Sequence, residues 1–581
     1  MASIAFAADP LRTVATLVPV LPISLGISMQ AMRVLVDAVP AADRGRIVAA
    51  GLVFLGTTTF SIAAGFGQLK VRVRLNESIG YELDRRLIAA TAGVHDIEHF
   101  ERPEFLDRIE YLRTERLALQ DAVGNAANTL QGLAFMAVTI ILLLTVHPLL
   151  ALLPIAAVPT LLLSGPAQRR VDDATERVSE TKRRALHLFD IATSAGSAKE
   201  TRVFGSSQWL LRRYRDEWRA ADAEILRADL TATLMRSVGA TVALAGYVLA
   251  LVFLLHLIAD DQISAGDAFI GLTRSTLLID QLGRSAGMFG SVRQARNVAE
   301  RVLWLLAYVD DRARDAPRGA APARLHTGIS LRDVTFAYAP ERRPALSNIN
   351  LRLPAGSVIA VVGENGAGKS TLMKLLFGFY APTSGQVLVD DVDLATIDRT
   401  VWRAATTACF QDHAQLQLPV REAIGVGSIE HIDDDTKLRD AAGRAAALGL
   451  IDQLADGLDH RLGALLDGAD LSGGQWQKLS ISRAMMRTEP VLLALDEPTS
   501  ALDPLAEHEL LERYDVVARQ LAQTHGTITL LVAHRFSTVR FADHIVVLHE
   551  GQVLDAGTHD DLMGRCPHYA ELFTIQARQY H

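Results

Sequence analysis

Residues 122–168 form a 47-residue run without a single Asp, Glu, Lys or Arg. As continuous helix it would reach roughly 70 Å, about twice the hydrocarbon core of a bilayer. A backbone immersed in lipid must satisfy its own N–H and C=O groups, so such a stretch can be only helix or closed barrel. His147-Pro148 near its middle marks the turn of a helical hairpin, because proline cannot continue the preceding helix.

The rest of the N-terminal half reads the same way. Residues 13–36 carry only Arg33, and residues 47–69 and 237–259 carry no Asp, Glu, Lys or Arg, so each is a spanning candidate beside 122–146 and 148–168. The segment 265–290 contains Asp267, Arg274, Asp280 and Arg284, which leaves its hydropathy ambiguous. Topology decides it. The long connections 70–121 and 169–236 are dense in Arg and Lys, which places them in the cytoplasm, whereas the outer connections are short and hold only Arg44 and Arg46 as basic residues. Both ends then lie inside, and six spans are required. With only Arg12 ahead of its apolar run, the N-terminal segment reads as a retained span and not a signal peptide.

Charges within spans must be paired or face water. Arg33 and Asp37 stand one turn apart, as do Asp280 and Arg284, and each pair can compensate itself. Arg236 and Arg274 have no such local partner, and Arg274 is expected either to line a water-filled cavity that selects substrate or to form a structural ion pair with another span. The inner connections contain helical stretches that extend the spans into the cytosol, and each holds a candidate docking element, 102–107 around Phe105 and 198–205 around Phe204.

Composition separates two halves. The 581 residues are 49% apolar and 21% charged, too many for one core. A net charge of −8 gives no support to nucleic-acid binding, and the two cysteines, Cys409 and Cys566, are too few and too far apart for a disulfide framework. The expected fold is an all-α six-helix membrane domain over 1–300, a linker over 301–326, and an α/β P-loop domain with a helical subdomain over 327–581.

The second half is organised by the strand–loop–helix at 358–376. A buried β-branched run precedes Gly363, Glu364, Asn365, Gly366, Ala367, Gly368, Lys369, Ser370 and Thr371, and a helix follows. Backbone N–H groups of such a loop and the positive end of its helix cradle nucleotide phosphates; Lys369 would reach the β and γ phosphates and Ser370 would ligate Mg²⁺. Tyr338, about 25 residues earlier, is placed to stack on adenine. Gln411 follows an apolar strand. Leu471, Ser472, Gly473, Gly474 and Gln475 open an amphipathic helix, either as a second anion site or as a plain N-cap. The strand at 491–495 delivers Asp496, expected to hold Mg²⁺, and Glu497, expected to polarise the attacking water. Asp503 lies in the next turn, and another buried strand ends at His534, a candidate donor to the γ phosphate.

In this order these motifs resemble the ATP-binding cassette (ABC) transporters, and the membrane half resembles the exporter type of half-transporter. The resemblance implies that two cassettes close head to tail around two ATP molecules, with Ser472, Gly473 and Gly474 of one chain facing the Gly363–Thr371 loop of the other. Gln411 then senses the metal, Asp503 forms the D-loop, and Glu497 and His534 are catalytic. Because Glu497 and the 471–475 run both keep the family pattern, the expected partner is a second copy, or else a related half-transporter. The segments 102–107 and 198–205 resemble the two coupling helices. One departure is the stretch before the signature, where exporters commonly have a glutamate and this chain has Asp467 and Asp470. Export of a small molecule, lipid or peptide across the bacterial cytoplasmic membrane is the expected function; import on the same architecture, for example of a siderophore, is the alternative.

Overall fold

The computed structural model describes residues 2–94, 96–314, 317–339, 341–463, 468–498, 504–532 and 539–577. Two compact units result, one of residues 1–91 and 107–307, the other of residues 92–106 and 308–581.

The first unit is helical. Pro10–Leu17 and Val20–Ala38 lead into Arg44–Gly93, and the hairpin strand Pro103–Val146 turns at His147 as expected. Beyond the turn, Pro148–Ala157 is a 3₁₀ helix with Pro154 inside it, and α-helix resumes at Val158–Arg177. Proline lacks the N–H that α-helical bonding needs, which accounts for the tighter winding. Ser207–Ala259 and Ala265–Arg314 complete the set. Among the described residues five helices are long and apolar enough to cross a membrane, and the sixth expected span lies within the continuous helix Ala265–Arg314. Hydroxyls link the first two spans: Ser28 Oγ lies 2.7 Å from Thr57 Oγ1, and Ser61 Oγ donates to Ser24 Oγ over 2.8 Å. Small polar groups of this kind hold helices together where apolar burial gives no advantage over lipid.

The charged residues pair otherwise than local spacing suggests. Arg33 meets Asp267 at 2.6 Å, not Asp37. Asp37 instead accepts from Gly266 N–H (2.7 Å) and Ser264 Oγ (3.0 Å), capping Ala265–Arg314, where the helix dipole favours a carboxylate. Arg236 donates to Gln168 Oε1 at 3.0 Å. The cavity expectation for Arg274 is corrected: this side chain is 1% exposed, donates to the Leu25 carbonyl over 3.2 Å and lies 5.3 Å from the centre of the Phe135 ring. It therefore tethers helices. The side chains of Asp280 and Arg284 lie outside the described residues.

The second docking candidate forms a six-residue helix, Ala198–Val203, followed by Phe204 at 76% exposure. The first is displaced. Its short helix is Glu98–Glu101, and Pro103 already begins the long helix, the first-turn position at which proline's missing N–H costs nothing. Phe105 is buried against His99 (4.7 Å) and Tyr308 (5.5 Å) within the second unit. The expected linker 301–326 is also helical in its first half, since Ala265–Arg314 runs through it.

In the second unit β1 (Gly328–Phe336), β2 (Leu346–Pro354), β4 (Ser384–Val389) and β5 (Val392–Asp393) form an antiparallel sheet in the order β2-β1-β4-β5. The other sheet contains β3 (Val358–Val362), β6 (Thr406–Cys409), β7 (Leu492–Asp496), β8 (Ile528–Val532), β9 (His544–His549) and β10 (Gln552–Gly557), in the order β10-β9-β3-β8-β7-β6. All its pairings are parallel except that of β10 with β9. Every residue of β3, β7 and β8 is buried, the mark of parallel strands covered on both faces. A small helical subdomain is inserted between β6 and β7, and the helix Gly473–Met485 packs there on Val420, Ala423 and Leu438.

Trp402 is fully buried, and its indole N–H donates to the Leu376 carbonyl at the end of the helix that follows the glycine loop, over 2.9 Å. Trp402→Ala should cost about 3–5 kcal/mol. Trp402→Phe, which strands that carbonyl, should cost about 1–3 kcal/mol. Chemical denaturation followed by cassette fluorescence would rank the two.

Candidate nucleotide site

The parallel sheet sets the geometry. Val361 of β3 is level with Val532 of β8, and Val532 with Asp496 of β7. Cys409 of β6 is level with Leu495. Whatever follows these strands therefore emerges along one edge, the carboxyl edge at which open α/β sheets bind ligands. Along it stand the 363–371 loop, Gln411, and Asp496 with Glu497.

The loop is built for close approach. A Cβ at Gly363 would lie 2.2 Å from the Leu548 carbonyl oxygen. Gly368 adopts φ +102° as the N-cap of Lys369–Leu376, and a Cβ there would meet Leu346 at 2.7 Å. Only glycine fits either demand. Glu364, Asn365 and Gly366 are exposed at the tip, while Ala367 is buried beneath them. Lys369 Nζ donates to the carbonyls of Gly363 (2.8 Å) and Glu364 (2.9 Å), folding over the loop. Burial pulls its ammonium below the usual lysine range, against the opposing pull of Glu497 and Asp496. Ser370 is exposed at the first turn, and Thr371 Oγ1 lies 3.1 Å from the Tyr338 hydroxyl.

Asp496 is 6% exposed. Burial first, and then the charges of Glu497 and Asp412, push its carboxyl up to about 6, only partly countered by Lys369. A buried carboxylate short of positive charge is a fitting ligand for a divalent cation, and the Ser370 hydroxyl and Gln411 amide supply the neutral oxygens that Mg²⁺ accepts. Glu497 is held at φ +48°, a left-handed conformation that costs a non-glycine residue about 1 kcal/mol. Two bonds fix it there: its N–H donates to the Val532 carbonyl (3.0 Å), and its own carbonyl accepts from Gln477 Nε2 (2.8 Å). Its carboxylate receives Gln411 Nε2 at 3.0 Å.

The structure thus brings Lys369, Gln411, Asp496 and Glu497 to one edge, together with Gln477 and Asp412, which the sequence pattern had not singled out. A glutamine facing the core as the fifth residue of a glycine-started helix needs a buried partner, and that was the available signal for Gln477. Ser472 is an N-cap within the chain: its Oγ accepts from Gln475 N–H (3.3 Å), and Gln475 Oε1 accepts from Ser472 N–H (2.8 Å). Leu471 is buried, whereas Ser472 and Gly473 are exposed. Among the described residues no hydrogen bond joins Ser472, Gly473 or Gly474 to the 363–371 loop. Asp467, Asp503 and His534 lie outside the described residues.

Fold and site define a P-loop nucleotide-binding cassette carried on membrane-spanning helices. Residues 346–500 match the family model described as ABC transporter. An ATP-dependent lipid A-core flippase of Nitrosococcus oceani is 33% identical over 388 residues, 66% of this chain and 62% of its own length, so the chain spans less than two thirds of that relative. The subtilin transport ATP-binding protein SpaT of Bacillus subtilis is 26% identical over 90% of this chain and 84% of its own. A bacterial Atm1-family ABC exporter solved with ATP bound superimposes with a TM-score of 0.76 at 24% identity, over 98% of both chains. Residues 346–500 thus match the cassette of the ABC transporters, and the whole chain has the fold of an ABC exporter, with five described helices long and apolar enough to cross a membrane.

Because a proton and a divalent cation compete for the Asp496 carboxylate, affinity for Mg²⁺-nucleotide should weaken as pH falls through about 6. Titrations of Mn²⁺ with ADP between pH 7.5 and 5.5 should show this drop, and Asp496→Asn should bind weakly with a flat profile.

Proposed function

We propose that the chain is one half of a dimeric exporter that uses ATP binding and hydrolysis to move a small molecule, lipid or peptide out across the cytoplasmic membrane by alternating access. The observation that carries this reading is the Gln411–Glu497 contact at 3.0 Å beside the buried Asp496 and Lys369. A buried carboxylate, a second carboxylate and a lysine on one sheet edge next to the glycine loop support the binding of a metal and of phosphate there. The relatives named for lipid A-core flipping and subtilin transport support a lipid or peptide substrate class.

In this account the membrane domain is followed from residue 327 by the cassette domain. Lys369 and the loop N–H groups bind the phosphates, and Tyr338 stacks on the base. Ser370, Gln411 and Asp496 would hold the Mg²⁺ that accompanies ATP, which would neutralise charge on the phosphates. Glu497 accepts a hydrogen bond from the attacking water and orients it, while Gln411 senses the metal and couples it to the helices; His534 and Asp503 complete the set. The exposed Ser472 and Gly473, which find no loop partner within their own chain, meet the nucleotide of the second copy. Closure of the two cassettes is carried by the inner helices to the spans, and hydrolysis resets the dimer.

Inside-out vesicles given cell extract and ATP test the reading. The wild type should accumulate one or a few compounds identifiable by mass spectrometry, and Glu497→Gln should accumulate none. Compounds entering only right-side-out vesicles loaded with ATP would reverse the direction.

A further inference from the structure

The residues that wall the Tyr338 ring are held from outside the cassette sheet. Tyr338 is 36% exposed, the condition a base-stacking ring needs. Four groups define its position: Thr371 Oγ1 on its hydroxyl (3.1 Å), the edge-on rings of Phe336 (4.9 Å between centroids) and Tyr380 (5.5 Å), and Lys374 Nζ over its face (5.2 Å). Lys374 lies on the same helix as Lys369 and Ser370, one turn beyond Ser370. Both Lys374 and Tyr380 are gripped by a single carboxylate, that of Glu101 in the 92–106 segment. Its Oε1 accepts from Lys374 Nζ at 2.6 Å, and its Oε2 accepts from the Tyr380 hydroxyl. Burial, and then the bond to Glu101, raise the Tyr380 phenol, so it stays a donor. Asp96 of the same segment bonds Arg399 of the cassette, a second point of attachment there, and also Arg312 at the end of the helix Ala265–Arg314.

We propose that Glu101 is a positioning residue for the nucleotide base. By holding Lys374 and Tyr380 it fixes the Tyr338 ring for stacking, so that the inner connection between the second and third spans and the base pocket bias each other. Without the carboxylate, Lys374 is free to swing to solvent and Tyr380 loses its acceptor; the ring then keeps its place only through Thr371 and Phe336, 4.9 Å away. Coupling free energy is reciprocal, so any movement that lifts Glu101 off the cassette weakens base binding, and base binding in turn holds the segment down. The proposal rests on the assignment of Tyr338 to the base in the reading above.

The test separates base from phosphate. In detergent-solubilised full-length chain carrying Glu497→Gln, calorimetry would measure the affinity for ATP and for inorganic tripolyphosphate, which has no base, with Mg²⁺ in excess. Adding Glu101→Gln should weaken ATP about five- to tenfold and leave tripolyphosphate unchanged. Tyr380→Phe, which removes one hydroxyl and keeps the ring, should do the same to a smaller extent. Adding it to Glu101→Gln should weaken ATP by less than the two separate factors multiplied, as groups in one network do. Unchanged ATP affinity in folded Glu101→Gln would overturn the proposal, as would equal losses for ATP and tripolyphosphate. Tyr338→Leu marks the loss expected when stacking is removed; if it too leaves ATP affinity unchanged, the base assignment fails along with the proposal. Failure of hydrolysis in the wild type, by contrast, would sink the transport reading alone, since these affinities are measured without turnover.

Discussion

The parallel ladder of β3, β8, β7 and β6 is the constraint on which the rest depends. β3, β7 and β8 are mostly apolar runs buried along their whole length, and β6 pairs with β7 in fixed register. Register is therefore dictated by burial, and burial brings Val361, Val532 and Asp496 to one level. The polar residues that follow have no choice of position. A loop of glycines, a buried carboxylate and a strained glutamate meet there because the strands end there. Strain at Glu497 is held by Gln477, a residue of the inserted helical subdomain, so the subdomain that carries Ser472 also fixes the second carboxylate.

A second set of dependencies runs through carboxylates of the 92–106 segment. Asp96, Glu98 and Glu101 are bonded to Arg399, Arg312, Lys374 and Tyr380, while Ile97 packs on the cassette core and His99 is buried among Phe100, Phe105 and Tyr308. Apolar packing supplies most of the favourable free energy of such a contact, and hydrogen-bonded ion pairs fix its register. The segment consequently belongs, by its contacts, with the cassette and not with the helices on either side of it in sequence.

Much of this was legible in the sequence where a local pattern has one physical reading. Uncharged runs can only be spans, and a β-branched run followed by Gly363–Thr371 is a strand, a phosphate loop and a helix. Gln411, Asp496 and Glu497 meet at one edge because each stands at or just beyond the end of a strand of the same sheet. What was not legible depends on partners distant in sequence. Arg33 has Asp37 one turn away and chooses Asp267; Arg274 is an unpaired charge in a span, yet a backbone carbonyl and a ring hold it. The short helix was expected at 102–107 because of Arg102, Pro103 and Phe105, but proline starts the long helix instead and leaves Glu98–Glu101 as the separate turn. Glu101 and Tyr380 stand 279 residues apart, with nothing local to join them.

We propose that the edge bearing Lys369, Gln411, Asp496 and Glu497 hydrolyses ATP with Glu497 orienting the water. The most direct test is to measure phosphate release and retained nucleotide in the purified wild type and Glu497→Gln side by side. The account predicts steady release from the wild type, and a variant that keeps intact ATP bound through gel filtration while releasing almost no phosphate. Hydrolysis by Glu497→Gln at the wild-type rate would contradict it.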